Sequence, residues 1–186
     1  MSAHLVVGLD LSITATGICD VDGNTFTVGG KAELGDKRLR IIASAVTEAT
    51  QPQEVIGCGF MPVTLVVIEA LAAGHSKGNG SAAAEVMGAA KSLLLSIGTP
   101  YVLVPPATLK KFATGRGNAT KPDMAVAAYK RGDEIEFADD NQCDAWWLRA
   151  AGLDALGHPL FPMPQAQRDA LNVVTWPEPV VLDGAQ

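Results

Sequence analysis

Short apolar runs separated by turn residues open the chain and predict β-strands there. Residues 5–10 form a continuous apolar run that ends in an acid, and residues 16–21 form a second run. Residues 25–28 alternate polar and apolar side chains, as a half-buried strand does. Asp22-Gly23-Asn24 separates the last two runs, and glycine and asparagine accept the positive φ that a tight hairpin needs. The pattern therefore predicts an antiparallel meander of three strands.

Helical periodicity dominates the rest of the chain. Apolar residues recur at helical spacing in five stretches, at residues 36–50, 81–97, 108–113, 121–131 and 139–156. Two further apolar runs, residues 63–68 and 101–104, predict two more strands. The first of these is apolar at nearly every position, which is typical of a strand covered on both faces. This order of strands and helices predicts an α/β fold.

Length and composition describe one folded domain. The chain has 186 residues, of which 48% are hydrophobic and 18% are charged, as in a folded globular protein. Residues 157–186 differ from the rest, because they hold five of the 11 prolines. We therefore predict a domain over residues 1–157 and a proline-rich tail or strap over residues 158–186.

Charge and cysteine content narrow the classes of function. The net charge is −6, which does not favour nucleic-acid binding, although a local basic patch can act on an acidic chain. The three cysteines are widely spaced and form no CxxC pair, which argues against a zinc site or a disulfide framework and favours a reducing cytoplasm. No secretion signal is evident. The most apolar window, residues 63–73, contains Glu69 and is too short to cross a membrane.

Three acids lie where apolar structure is predicted. Asp10 and Glu69 each end an apolar strand, and Asp144 interrupts the apolar helix DAWWLRAAGL. A buried bare carboxylate is very costly, so each must be hydrated, paired or bound to a cation. One interpretation is that Asp10 caps a turn. The other is that the three acids converge on a Mg²⁺ site, since Mg²⁺ prefers carboxylate oxygens.

A fourth ligand has two candidates in the same helix. Asp140 and Asn141 precede Asp144 by four and three positions, so both can share its face. Asp139 and Asp140 are also suited to capping the start of the helix, which is the common role of aspartate there.

The segments GLDLSITATG, VVIEAL, PPATLKKFATGRGNATKPDM and DDNQCDAW, in this order, resemble RuvC-type Holliday-junction resolvases of the RNase H-like superfamily. The resemblance spans about residues 6–156. It implies an α/β fold with an RNase H-like mixed sheet, an antiparallel three-strand meander plus parallel strands, flanked by helices. It also implies a metal-dependent endodeoxyribonuclease that resolves Holliday junctions by symmetric phosphodiester hydrolysis, in DNA recombination and repair.

The resemblance assigns roles to individual residues. Asp10, Glu69 and Asp144 would hold two Mg²⁺ ions per active site, for which Mn²⁺ would substitute, with Asp140 or Asn141 as the further ligand. Lys121 would act beside the scissile phosphate. The residues that would contact DNA are Lys110, Arg116, Lys121 and Lys77. Two positions depart from the family pattern: Asn141 replaces an acid or a histidine, and Ala72 replaces an aromatic residue that wedges into the junction.

The implied partners are branched DNA and a second copy of the chain, since symmetric cutting needs two sites. The helix at residues 81–97 is the expected interface, although its apolar stripe must also pack on the sheet. No membrane and no nucleotide cofactor are expected, and the implied location is the cytoplasm of a bacterium or of a phage-infected host cell.

Three alternatives remain. One is a related nuclease that cuts flaps or other branched DNA, and another is a catalytically impaired DNA-binding relative. The opening segment also resembles actin-like ATPases and sugar kinases, but 186 residues leave no room for their second domain.

Overall fold

The computed structural model describes residues 4–31, 34–71 and 80–177. The strands are β1 (Val6–Asp10), β2 (Thr16–Cys19), β3 (Thr25–Val28), β4 (Gln53–Val55), β5 (Gly59–Met61), β6 (Leu65–Glu69) and β7 (Tyr101–Val104). The helices are α1 (Lys37–Ala49), α2 (Gly80–Ser96), α3 (Pro106–Thr114), α4 (Lys121–Arg131), α5 (Asp140–Ala155) and α6 (Gln165–Arg168), and a 3₁₀ turn follows at Asp169–Val173. None of the described helices is long and apolar enough to span a bilayer.

Five strands form one mixed sheet in the order β3-β2-β1-β6-β7. The first three pair antiparallel, whereas β6 and β7 join them in parallel. The turn before β3 is closed by the Asp20 carboxylate, which accepts hydrogen bonds from the backbone N–H groups of Asp22 and Asn24, and Gly23 adopts a φ of +94°. The predicted α/β fold, the antiparallel meander and the parallel extension are confirmed.

Helices cover both faces of this sheet. On one face, Val6 and Val67 pack against Trp147 and other apolar residues of α5, with α3 and α4 beyond. On the other face, Val7 and Ile68 pack against α1 and α2. Neighbouring residues of β1 and β6 thus enter opposite cores, which is why these runs are apolar at almost every position. Burying both faces is the main stabilising contribution to the fold.

A short hairpin, β4–β5, was not predicted. Its strands have three residues each and lie outside the main sheet, and Ile56 and Phe60 are exposed. Cys58 lies exposed in its turn, whereas Cys19 and Cys143 are buried. The α3 helix also begins two residues earlier than predicted, at Pro106, because proline is tolerated in the first turn of a helix.

Residues 157–177 pack against the domain. Phe161 stacks on Trp146 with 5.4 Å between ring centroids, and Leu171 and Val174 enter the core on the α5 face. The division into residues 1–157 and 158–186 stays a prediction. Ala72 and Lys77, which were singled out in the sequence, lie outside the described residues.

Candidate active site

Two carboxylates lie side by side at one edge of the sheet. Asp10 and Glu69 end the parallel neighbours β1 and β6, one residue beyond the paired Leu9 and Ile68. Their carboxyl groups are close enough for the charge of Asp10 to act on Glu69. Burial, followed by the negative charge of Asp144, raises the pKa of Asp10, and burial followed by the charge of Asp10 raises the pKa of Glu69. The strand ends therefore hold two acids that repel each other when both are ionised.

Two glycines let α5 reach these strands. A Cβ at Gly8 would come within 2.0 Å of the Ala145 carbonyl oxygen, and a Cβ at Gly17 within 2.1 Å of the Asn141 carbonyl oxygen. Any side chain at these positions would push the helix away from β1 and β2. The glycines of GLDLSITATG thus permit the close approach that brings Asp144 to Asp10.

The third acid, Asp144, is 4% exposed and forms a salt bridge with the Lys121 ammonium group. Burial raises the pKa of Asp144, while Lys121 opposes that rise. Partial burial would lower the pKa of Lys121, but its hydrogen bond to Asp144 and the charge of Asp10 raise it. Lys121 is therefore a fixed cation among the three acids, positioned by a capping box at Thr120 and Asp123.

Asp139, Asp140 and Asn141 have different surroundings. Asp139 caps α5, because its carboxylate accepts the Gln142 N–H and the Thr27 hydroxyl at 3.0 and 2.6 Å. Partial burial would raise the pKa of Asp139, but hydrogen bonds from Thr27, Gln142 and Asn141 lower it. Asn141 is partly buried, whereas Asp140 is exposed and its charge acts on Asp144 and Lys121.

The sequence predicts only a helix-capping role for Asp139, but in the structure its charge also acts on Asp10. The sequence signal for this second role was its place directly before the helix that carries Asp144. The contact with Thr27, 112 residues away, gave no such signal.

The predicted basic residues separate into two groups. Lys110 of α3 is close enough to Glu69 and Asp144 for its charge to oppose the rise in their pKa values. Arg116, in the loop after α3, pairs with Asp123 at 3.1 Å on the surface. The structure thus brings Lys110 and Lys121 to the acids, while Arg116 lies at the N-terminal end of α4.

The donor set suits a hard divalent cation. Asp10, Glu69 and Asp144 supply carboxylate oxygens, and the surplus of acids over lysines leaves negative charge for a cation to offset. Within residues 4–31, 34–71 and 80–177, no group of three His, Cys, Asp or Glu side chains is arranged so that it could hold a metal ion. Mg²⁺ keeps several of its waters and needs only one or two carboxylates, so these residues fit it.

Comparison with known proteins gives a consistent result for the fold. No family model and no curated protein matches the chain. Among solved structures, Thermus thermophilus RuvC matches at 19% identity and a TM-score of 0.62, over 83% of this chain and 97% of that one. The chain has the RuvC fold. The T. thermophilus RuvC structure in complex with a Holliday junction substrate matches over the same shares, at 16% identity and a TM-score of 0.64.

Proposed function

We propose that this chain is a metal-dependent DNA endonuclease that resolves Holliday junctions by cutting two symmetric phosphodiesters. The observation that carries the proposal is the meeting of Asp10, Glu69 and Asp144 at one edge of a sheet with the RuvC fold. The RuvC structure bound to a Holliday junction supports the choice of substrate.

Two Mg²⁺ ions would be held by Asp10, Glu69 and Asp144, and Mn²⁺ would substitute for them. Asp140 is the further ligand we propose, because its charge acts on Asp144, whereas Asn141 offers only a neutral amide. When bound, the ions lower the pKa of a water and stabilise the leaving oxygen.

Lys121 and Lys110 supply positive charge to the proposed active site. Lys121 holds Asp144 through a salt bridge and presents its ammonium group where negative charge develops on the phosphate. Lys110 and Arg116 would contact the DNA backbone, which positions the substrate without reading its sequence. With a net charge of −6, binding is expected to be weak and salt-sensitive.

Symmetric cutting requires a homodimer with both sites on one face. The proposed interface is α2, whose Val86, Ala90 and Leu94 pack inward while Leu95 is exposed. Analytical ultracentrifugation with and without junction DNA tests the dimer.

The activity is tested by incubating a labelled four-way junction, a flap and a duplex with Mg²⁺, with Mn²⁺ and with chelator. We expect junction cutting with either metal, and Asp10→Asn or Asp144→Asn should lower its rate by more than about 100-fold, since even the indirect supports of metal ligands are worth 10–100-fold. Glu48→Gln, an exposed acid on α1, is the matched control.

The other outcomes are distinct. Equal cutting of flap and junction would replace resolution with a broader activity on branched DNA. Junction binding without metal-dependent cutting would identify a catalytically impaired relative.

A further inference from the structure

A pocket of about 460 Å³ opens beside the acids, between α4, α5 and the segment that joins them. Its walls are mainly apolar and include Val126, Tyr129, Ile135 and Phe137. Val126 and Tyr129 are exposed, although both are large apolar side chains on a helix of the core. The volume lies in the range of small-molecule sites.

This pocket continues the candidate active site. Its α4 wall begins at Ala125, one helical turn after Lys121, and its α5 wall begins at Asp140, one turn before Asp144. The charge of Asp140 acts on both Lys121 and Asp144. A nucleotide whose phosphate lies at the acids would therefore be about one helical turn from the pocket.

The charged side chains of the pocket indicate the chemical class of ligand that it can bind. The charged residues that line it are Glu136, Asp139 and Asp140, all of them acids. A phosphate would be repelled, whereas a neutral planar group with N–H donors would gain both aromatic contact and acceptors. A nucleobase has this chemistry, and bases stack well on aromatic side chains.

We propose that the pocket receives one unstacked nucleobase of the substrate strand, close to the phosphodiester that is cut. The proposal rests on the proposed nuclease function, which supplies the strand. Asp139 is already engaged by Thr27 and Gln142, and Asp140 is assigned to the metal, so Glu136 is the acceptor for the base. Carboxylates accept from amino groups, so guanine, adenine and cytosine are favoured over thymine, which has none.

The test measures the Kd of metal-free protein for junctions in which each of three nucleotides on either side of the cleaved bond is in turn made abasic. At one position the abasic residue should weaken binding by about 10-fold, the size of one base-stacking contact. Val126→Trp, which fills the pocket, should cause a similar loss on the intact junction and no further loss on the abasic one. Tyr129→Ala should show the same pattern. This variant tests the pocket independently if Val126→Trp disturbs folding.

Glu136→Gln tests the preference for amino-bearing bases, which it should reduce without weakening binding to thymine. Glu134→Gln on the same segment and Val173→Trp on the 3₁₀ turn, neither of which lines the pocket, should leave Kd unchanged.

Failure of this proposal is separable from failure of the nuclease. If the protein cuts junctions but an abasic residue at none of the positions alters Kd, the pocket binds no base and only the proposed nuclease activity is supported. If neither Mg²⁺ nor Mn²⁺ supports cutting, but an abasic residue at one position weakens binding by the wild type and not by the pocket variants, base binding in the pocket is supported and the nuclease activity is contradicted.

Discussion

The carbonyl oxygen of Ala145 lies 2.0 Å from the point that a Cβ of residue 8 would occupy, so α5 rests on β1 because residue 8 is glycine. Gly8 is two residues before Asp10, and Ala145 directly follows Asp144. One backbone contact therefore sets the separation of two acids of the candidate active site.

Substituting Gly8→Ala should separate the helix from the sheet. We expect a loss of about 3 kcal/mol in the free energy of unfolding, at the upper end for overpacking, because the clash is with backbone. Gly88→Ala is the matched control, since a Cβ there meets nothing within 4 Å and α2 gains a better helix former. Urea denaturation of both variants checks the prediction, and equal stabilities would contradict it.

Removing Lys121 should leave Asp144 without its cation. We expect Lys121→Ala to destabilise the metal-free protein by about 1 kcal/mol, a value limited by the exposure of the lysine. Mg²⁺ should reduce this difference, because it supplies the missing positive charge, while junction cutting stays about 100-fold slower.

Melting temperatures with chelator and with Mg²⁺ measure the effect of this substitution. Lys130→Ala on the same helix is the control. A stability difference that persists unchanged in Mg²⁺ would show that the lysine has a different role.

Stability should depend on pH through the three acids. Burial raises the pKa values of Asp10, Glu69 and Asp144 above their unfolded values near 4, and repulsion by neighbouring carboxylates adds to the rise, from within the three acids for Asp10 and Glu69 and from Asp140 for Asp144. Folding therefore favours their protonated forms, and the stability they contribute is complete below about pH 4 and is lost as pH rises through the folded pKa values. The melting temperature of metal-free protein should fall across that range.

Two comparisons isolate the contribution of the acids. Glu69→Gln removes one of them and should flatten the slope of melting temperature against pH. Mg²⁺ should raise the melting temperature more at pH 8 than at pH 5. A slope that is identical in the variant would place its origin elsewhere.

Asp140 and Asn141 should differ in their effect on metal binding. Asp140→Asn should weaken Mg²⁺ binding by about 10-fold, because a carboxylate facing Asp144 and Lys121 is lost. Asn141→Ala should leave the affinity near that of the wild type, because it removes a neutral amide and no negative charge. Calorimetric titration with Mg²⁺ measures both, and the reverse order would make Asn141 the ligand.

Phe161 should be needed for stability. Its ring stacks on Trp146 and meets Trp147 edge-on with centroids 5.7 Å apart. Phe161→Ala should cost about 2 kcal/mol, less than a fully buried phenylalanine because the ring is partly exposed. Leu160→Ala, its exposed neighbour, should change stability by less than about 0.5 kcal/mol. Thermal unfolding of the two variants decides whether this segment is part of the folded unit.

The meander could be predicted because its signals are local. Asp22-Gly23-Asn24 defines a turn within a few residues, and the apolar runs beside it need only a sheet to cover them. The β4–β5 hairpin could not be predicted in the same way, since three-residue strands are too short to show a period. Its glycines, Gly57 and Gly59, adopt positive φ and were its only local signal.

Part of the candidate site could also be predicted, because its sequence signals are local. Asp10 and Glu69 were evident as acids at the ends of apolar strands, and in the structure the charge of Asp144 acts on both of them, although their roles stay predictions. The sequence could not decide whether Asp140 or Asn141 is the further metal ligand, because helical spacing puts both near Asp144. It depends on which side chain lies close to Lys121 and Asp144, and α4 and α5 bring those two residues together only in the folded chain.

The cysteines give this protein a natural position for a single chemical label. Burial raises the pKa values of the Cys19 and Cys143 thiols to about 12, so neither forms the reactive thiolate near neutral pH. Cys58 lies exposed in the β4–β5 turn, before β6 begins, whereas Glu69 ends that strand. A maleimide dye or spin label would therefore attach at one known point, remote from the acids, on the unaltered sequence. Distances between such labels would report how two copies are arranged on a junction.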